Sequence, residues 1–338
     1  MQQTAAWRFA MLYVASALGG MYLYGYEWLR FFTYFGSWGT VGLFLSIAAL
    51  YTLAYVLIKY CREQQIDSLA ELCARLTGAS LGTVFPWLLY VGLLAYCGTV
   101  LGQYAKLLPN FTTSLFFLFL LLPCVLSFWF IEQIAARFVW LILVCWGCFV
   151  CLMISTIASQ GHVPVPVLTY QLNTQWLWHA LFYLGLHFIL LLTLSIPLAR
   201  RSESFFNIRV GLLSAGALHL ATALLGHLAL LSYWHDLNGS PVPFYELFSK
   251  WGTSYALFYG LLSLGQTIVT ISCCLYGMAV PLSEKFELRQ SSLLVVMLTL
   301  TVAAGMLSLQ SPSFGSIVQA VITYAGFALL FLFYWKRR

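Results

Sequence analysis

Ten apolar stretches, each long enough to cross a lipid bilayer, limit what this chain can become. About 20 apolar residues in a helix span a hydrocarbon core of about 30 Å. The stretches fall at about residues 7–32, 36–60, 82–106, 113–131, 137–159, 176–199, 207–234, 253–281, 290–309 and 313–335. Membrane barrel strands would be short alternating segments instead. Only 8% of the residues are charged and 62% are hydrophobic, too little charge to cover a soluble domain of this size. The reading is an all-α polytopic membrane protein of ten transmembrane helices, with membrane lipid as its solvent.

The basic residues orient it. With the N terminus in the cytoplasm, the inner side receives Arg8, Lys59, Arg62, Arg75, Arg137, Arg200, Arg201, Arg209, Lys285, Arg289, Lys336, Arg337 and Arg338. The outer side receives Arg30, Lys106 and Lys250. This asymmetry predicts both termini inside, in the plasma or inner cell membrane. It also accounts for the net charge of +6, and no basic cluster points to nucleic acid. Ala15-Ser16-Ala17 resembles a signal-peptidase site, but the apolar pattern continues past it, so the first span is expected to be retained. The nine cysteines show no disulfide framework. Cys145, Cys148 and Cys151 read as small residues packed against a neighbouring helix.

The loops repeat a design. Spans 2 and 3 are joined by CREQQIDSLAELCARLTGAS, which predicts an amphipathic helix capped near Asp67 or Ser68. Spans 7 and 8 are joined by HDLNGSPVPFYELFSKWG, also long enough for a short helix. One loop is inside and the other outside. Five spans per half is an odd number, so two similar halves, 1–160 and 161–338, must be inverted relative to each other. Many secondary transporters share that plan.

The first span of each half should then match. Span 1 carries ALGGMYLYGYEWLRFF, with Gly19, Gly20 and Gly25 inside an apolar segment; span 6 carries Gly185 and His187 near its middle. Both are expected to break in mid-membrane, where unpaired backbone groups are tolerated only against protein or a cavity. Unwound carbonyls can hold a cation and half-helix N-termini an anion. The solute site is therefore expected between Gly19, Gly20, Tyr22, Tyr24, Gly25 and Tyr26 on span 1 and Tyr183, Gly185 and His187 on span 6. The competing reading takes these glycines as close-packing points between helices.

Of ten acids only Glu27 lies within a span. A charge at the bilayer centre costs about 2.5–3.5 kcal/mol, so Glu27 must face a cavity, find a partner or carry a proton. It reads either as a proton carrier or as a fixed partner of Arg30, three residues on along the same helix face. His187 can titrate or bind solute, whereas His219 and His227 on span 7 read as interhelical hydrogen-bonding groups. No nucleophile–base pair, metal-spaced cluster or phosphate loop is present, so no enzyme activity is expected.

Ten spans, broken helices 1 and 6 and a 5+5 inverted repeat resemble the LeuT fold of the amino acid–polyamine–organocation (APC) superfamily. The local segments GGMYLYGYE, Phe31-Phe32, GSWGTVG and TIVTISCCLYG are similar to those of the YkvI-like membrane proteins. Met21, Tyr24 and Tyr26 depart from the small residues of that group. Glu27-Trp28-Leu29-Arg30-Phe31 also resembles the first-helix motif of sodium symporters of this fold. The resemblance implies a sodium site that includes Thr267, Thr270 and Ser272 on span 8. In those symporters the matching arginine forms an outer gate with an acid on helix 10; that ion-pair gate is not conveyed here, and Glu27 and Arg30 stand as coupling or gating candidates. Span 10 offers Arg30 no acid, only the neutral amide of Gln319.

The expected function is secondary active transport of a small organic solute, an amino acid or related amine, coupled to Na+ or H+. The alternative is a ligand-binding membrane sensor of the same fold.

Overall fold

The computed structural model describes residues 10, 13–14, 25–107, 124–125, 139–160, 174–201 and 204–337. The described chain is helical, and seven of its helical segments are long and apolar enough to cross a membrane. Most of expected spans 1 and 4, with Gly19, Gly20, Tyr22 and Tyr24, lies outside the described residues.

Helix α1 is short, Tyr26–Phe31. It starts at Gly25, whose φ of +81° lies in the left-handed region that glycine enters without steric cost. A Cβ there would also press on Phe244 and Pro243. A 3-10 turn, Thr33–Phe35, leads into α2, Gly36–Glu63. Helix α3, Leu69–Ala105, opens with a capping box: Ser68 Oγ accepts from Glu71 N at 3.1 Å, and Glu71 Oε2 accepts from Asp67 N at 3.0 Å. The loop helix expected near Asp67 or Ser68 is thus present. Gly78, at φ +81°, bends it away from the membrane-spanning part.

Helix α4 follows at Val139–Gln160, α5 at Gln175–Arg201 and α6 at Phe205–Ser232. Two short helices, α7 (Trp234–Leu237) and α8 (Pro243–Ser249), occupy the second long loop. Then come α9, Thr253–Phe286, α10, Gln290–Gln310, and α11, Pro312–Arg337.

Helix α5 is the centre. In its apolar window 89% of the residues are buried, against 33% in α10. It packs against α2, α9 and α11, while α3 packs against α9, α10 and α11, and α6 lies on α2 and α4. Small residues set the close approaches. Gly98 and Gly102 of α3, one turn apart, face Ala304, Gly305 and Ser308 of α10.

Two expectations are corrected. Helix α5 runs unbroken through Gly185, so span 6 has no mid-membrane interruption there. Gly185 is a packing point: a Cβ would meet Thr323 O at 2.8 Å, and Gly326 of α11 lies against the Gly185 backbone. Cys148 and Cys151 are exposed rather than packed. Trp146 Nε1 reaches Thr222 of α6 at 2.6 Å, and helical spacing puts Cys148 and Cys151 roughly 140–160° round α4 from it.

Candidate functional site

Trp28 seats α1 in the bundle. Its indole lies where a side chain on Gly226 of α6 would otherwise be, and its ring meets Phe244 edge-on at 5.1 Å. The helix so placed carries Glu27 inward, to 0% exposure, and Arg30 outward.

Glu27 has two polar partners on two other helices. Its Oε2 lies 3.0 Å from His187 Nε2 on α5, itself 0% exposed, and its Oε1 accepts from Gln319 Nε2 on α11 at 3.3 Å. Gln319 Oε1 in turn accepts from Arg30 Nη1 at 3.2 Å. Glu27 and Arg30 are thus joined through an amide, not as the fixed ion pair read from their spacing. The i,i+3 geometry allows a pair, but α11 inserts a group that satisfies both ends.

His187 packs against Tyr183, ring centroids 4.1 Å apart and planes tilted by 35°. The Tyr183 hydroxyl reaches His219 Nε2 of α6 at 2.7 Å, and His219 Nδ1 faces the Tyr51 hydroxyl of α2 at 3.1 Å. A neutral imidazole has one donor and one acceptor. One tyrosine therefore donates to the ring and the other accepts from it.

His227 makes a second staple. Thr33 Oγ1 donates its one hydrogen to Trp28 O at 3.1 Å, so it can only accept from His227 Nδ1, at 3.1 Å. Nε2 is then the acceptor, and Thr40 Oγ1 donates to it at 2.9 Å. The network fixes the Nδ1–H tautomer and ties the end of α1 to α2 and α6.

Near the exposed Arg30 a cavity of about 420 Å³ opens, lined among others by Tyr26, Arg30, Tyr34, Gln175, His179 and Asn238. Of the span-1 residues expected to touch solute, Tyr26 borders this cavity and Gly25 caps α1. Tyr183 and His187 are fully buried beside Glu27.

The hydroxyls read as one sodium set lie on more than one face of α9. Thr267 and Thr270 are three residues apart on α9, and Gln266 Nε2 donates to Thr270 Oγ1 at 3.4 Å. Ser272 lies roughly 160° round the helix from Thr270 and donates to Cys124 O at 3.3 Å. Among the described residues no group of three or more His, Cys, Asp or Glu side chains could hold a metal ion.

Sequence reading found Glu27 and His187 but not the groups that connect them. The sequence offers Gln319 only as a neutral partner for Arg30. The links of His219 and Tyr51 to Tyr183 join residues 36 and more positions apart. The sole signal was two histidines eight residues apart on one apolar span.

No family model and no curated protein matches this sequence. Solved structures do. MhsT, in complex with L-phenylalanine, superposes with a TM-score of 0.68 over 95% of this chain and 87% of its own, at 14% identity. Mhp1, a nucleobase-cation-symport-1 family transporter in a closed conformation with bromovinylhydantoin bound, gives 0.58 over 94% and 74%, also at 14% identity. The chain is a multi-pass membrane protein with the LeuT fold that these transporters share. The YkvI-like assignment receives no support beyond that fold.

Proposed function

We propose that this chain is a secondary active transporter of a small organic solute, an amino acid or related amine, working by alternating access. The observation that carries the reading is Glu27. A carboxyl group buried at a helix-starting glycine, and bonded to two other helices, is an expensive feature in a membrane protein. Structural packing alone does not require it. The outer cavity at Tyr26 and Arg30 gives a solute an approach to that helix. The aromatic edge of Tyr26 and the buried Tyr183 and His187 offer stacking and hydrogen bonds to a solute held between α1 and α5.

In this reading the chain has ten spans in two inverted halves, 1–160 and 161–338, with the outer part of helix 1, α1, starting at Gly25. Both termini are cytoplasmic in the cell membrane. The coupling ion is a proton bound near Glu27, and the Arg30–Gln319–Glu27 chain closes the outer side. Sodium is the second reading, favoured by the two buried hydroxyls of Thr267 and Thr270 on one face of α9, with carbonyls of helix 1 completing its ligands.

The test is uptake into proteoliposomes under an imposed pH gradient, with counterflow as the exchange readout, using a panel of radiolabelled amino acids, amines and nucleobases. Accumulation of one against its gradient supports the reading, and its loss on collapsing a pH gradient supports proton coupling. Saturable binding of a panel member with no flux would instead mark a sensor. Glu27→Gln is expected to keep exchange but to lose proton-driven accumulation by tenfold or more.

A further inference from the structure

The hydrogen bonds around Glu27 favour one place for its proton. Arg30 has donors only, so the Gln319 oxygen has to face it, as it does at 3.2 Å. That fixes the amide, and its nitrogen, a donor only, is turned to Glu27 Oε1 at 3.3 Å. Oε1 is therefore an acceptor, and a proton placed on Oε2 rather than Oε1 gains His187 Nε2 as its partner. The proton on Glu27 is thus assigned to Oε2, which lies 3.0 Å from His187 Nε2. One hydrogen occupies the line between these two atoms.

We infer that Glu27 and His187 form a single proton-binding unit spanning α1 and α5, with Tyr183, His219 and Tyr51 as positioning residues that hold the imidazole in line. Without the extra proton the unit is a carboxylate with a neutral imidazole, net charge −1. Taking one proton from water makes it neutral overall, either as carboxylate and imidazolium or as carboxylic acid and imidazole. Release returns that proton to water, and no other bond is made or broken. In a site with both members 0% exposed, the form without net charge is the one that suits burial.

The positioning follows from the clamp on His219. Both of its ring nitrogens are held by tyrosine hydroxyls, which fixes Tyr183, and the Tyr183 ring, 4.1 Å from that of His187 between centroids, limits how the imidazole can move. Among the described residues, the groups facing the unit are Arg30, reached through Gln319, from α1, Tyr183 from α5, and His219 from α6, with ring centroids 6.2 Å from His187. Tyr51 of α2 stands beyond His219, and α11 presents the neutral Gln319. Helix α9 meets α5 further along, at Gly277 against Thr193. Separating α1 from α5 breaks the 3.0 Å contact, so proton release is tied to the helix motion that alternating access needs. That use rests on the transporter reading, but the test does not, because it needs no solute.

The full-length protein in lipid nanodiscs is given acid pulses with a pH-indicator dye, and protons taken up per chain are counted between about pH 8 and about pH 5. Glu27→Gln and His187→Gln should each remove about one proton, and the double variant the same one, not two. Additive losses, or no loss in either single variant, overturn the inference. Tyr51→Phe should keep the count and alter the pH profile of uptake, and an unaltered profile removes the positioning role. Should a variant fail to fold, wild-type protein labelled with ¹⁵N-histidine serves. The His187 resonances and the carboxyl infrared band should change together over one pH interval. Changes of His187 and of the carboxyl band over two separate pH intervals overturn the inference. Failed counterflow with an intact shared proton would sink only the transporter reading.

Discussion

Two buried surfaces of this molecule are held by opposite means. Along α3 and α10, Gly98 and Gly102 lie against Ala304, Gly305 and Ser308 so closely that no side chain fits between the backbones. Around α1, α2, α5 and α6, large polar side chains meet instead: Glu27 with His187, Tyr183 and Tyr51 with His219, Thr33 and Thr40 with His227. Close packing draws on many weak contacts that all fall away within an ångström. It has one good arrangement. A hydrogen bond can change partners for little net free energy as long as another partner waits. The contrast teaches which surface is built to stay and which is able to rearrange.

The largest effect is expected where the fixed surface is violated. In Gly98→Leu the added Cβ would lie 2.5 Å from Ala304 Cβ and 2.7 Å from Gly305 N. Backbone cannot give way there as a flexible side-chain tip could, so the helices must separate, at a cost of about 3 kcal/mol or more. The measurement is thermal unfolding in detergent, with yield of monodisperse protein as the second readout. Normal yield and melting temperature would mean that the α3–α10 seam is as adaptable as the polar region, and the contrast would fall.

The polar region should respond by degrees. His227→Phe keeps much of the ring but removes both bonds and leaves Thr33 and Thr40 without their shared partner. A loss of about 1–3 kcal/mol is expected. His227→Asn places a donor near the Nδ1 position and should recover part of it, because the network requires a hydrogen directed at Thr33. His227→Gln places its acceptor near the Nε2 position instead and serves Thr40. If Asn, Gln and Phe were equally destabilising, the tautomer deduced from Thr33 would be irrelevant to stability.

The same contrast marks what was readable in the sequence. Apolar runs show themselves along the chain, so the spans that fall on described residues were legible. So was the cap at Ser68, because Ser68 and Glu71 are local partners. Gly185 was not. A glycine within an apolar helix is compatible with a break or with a close approach, and the deciding residue, Gly326, is far along the chain on another helix. Glu27 stood out because a lone acid in a span is costly wherever it goes. That its partners are His187 and Gln319 rather than Arg30 depends on how α5 and α11 converge on α1. Two sequence separations of 160 and 292 carry no local trace of that convergence. For the sodium hydroxyls, helical spacing alone puts Thr270 and Ser272 on different faces of α9.

The smallest effect should come from a polar contact with no burial behind it. Lys250 Nζ donates to Asp236 Oδ2 at 2.6 Å in the loop between α6 and α9, with both side chains about half exposed. The hydrogen bond and charge of Lys250 hold the Asp236 carboxyl below its ordinary value. The sign then follows. A carboxyl whose folded pKa is depressed stabilises the fold above its unfolded pKa, and that contribution is lost as pH falls through the folded value. Asp236→Asn should therefore lower the melting temperature slightly at neutral pH and not at all in strong acid, where wild type is also protonated. Salt at about 1 M, with a Debye length of about 3 Å, should erase most of the neutral-pH difference. The comparison with His227 is direct, because both contacts are short and polar and only one is dry. An Asp236→Asn shift as large as that of His227→Phe, or one indifferent to salt, would show that hydrogen-bond geometry outweighs burial in this protein. The buried histidines would then lose their special claim as the switchable part of the fold.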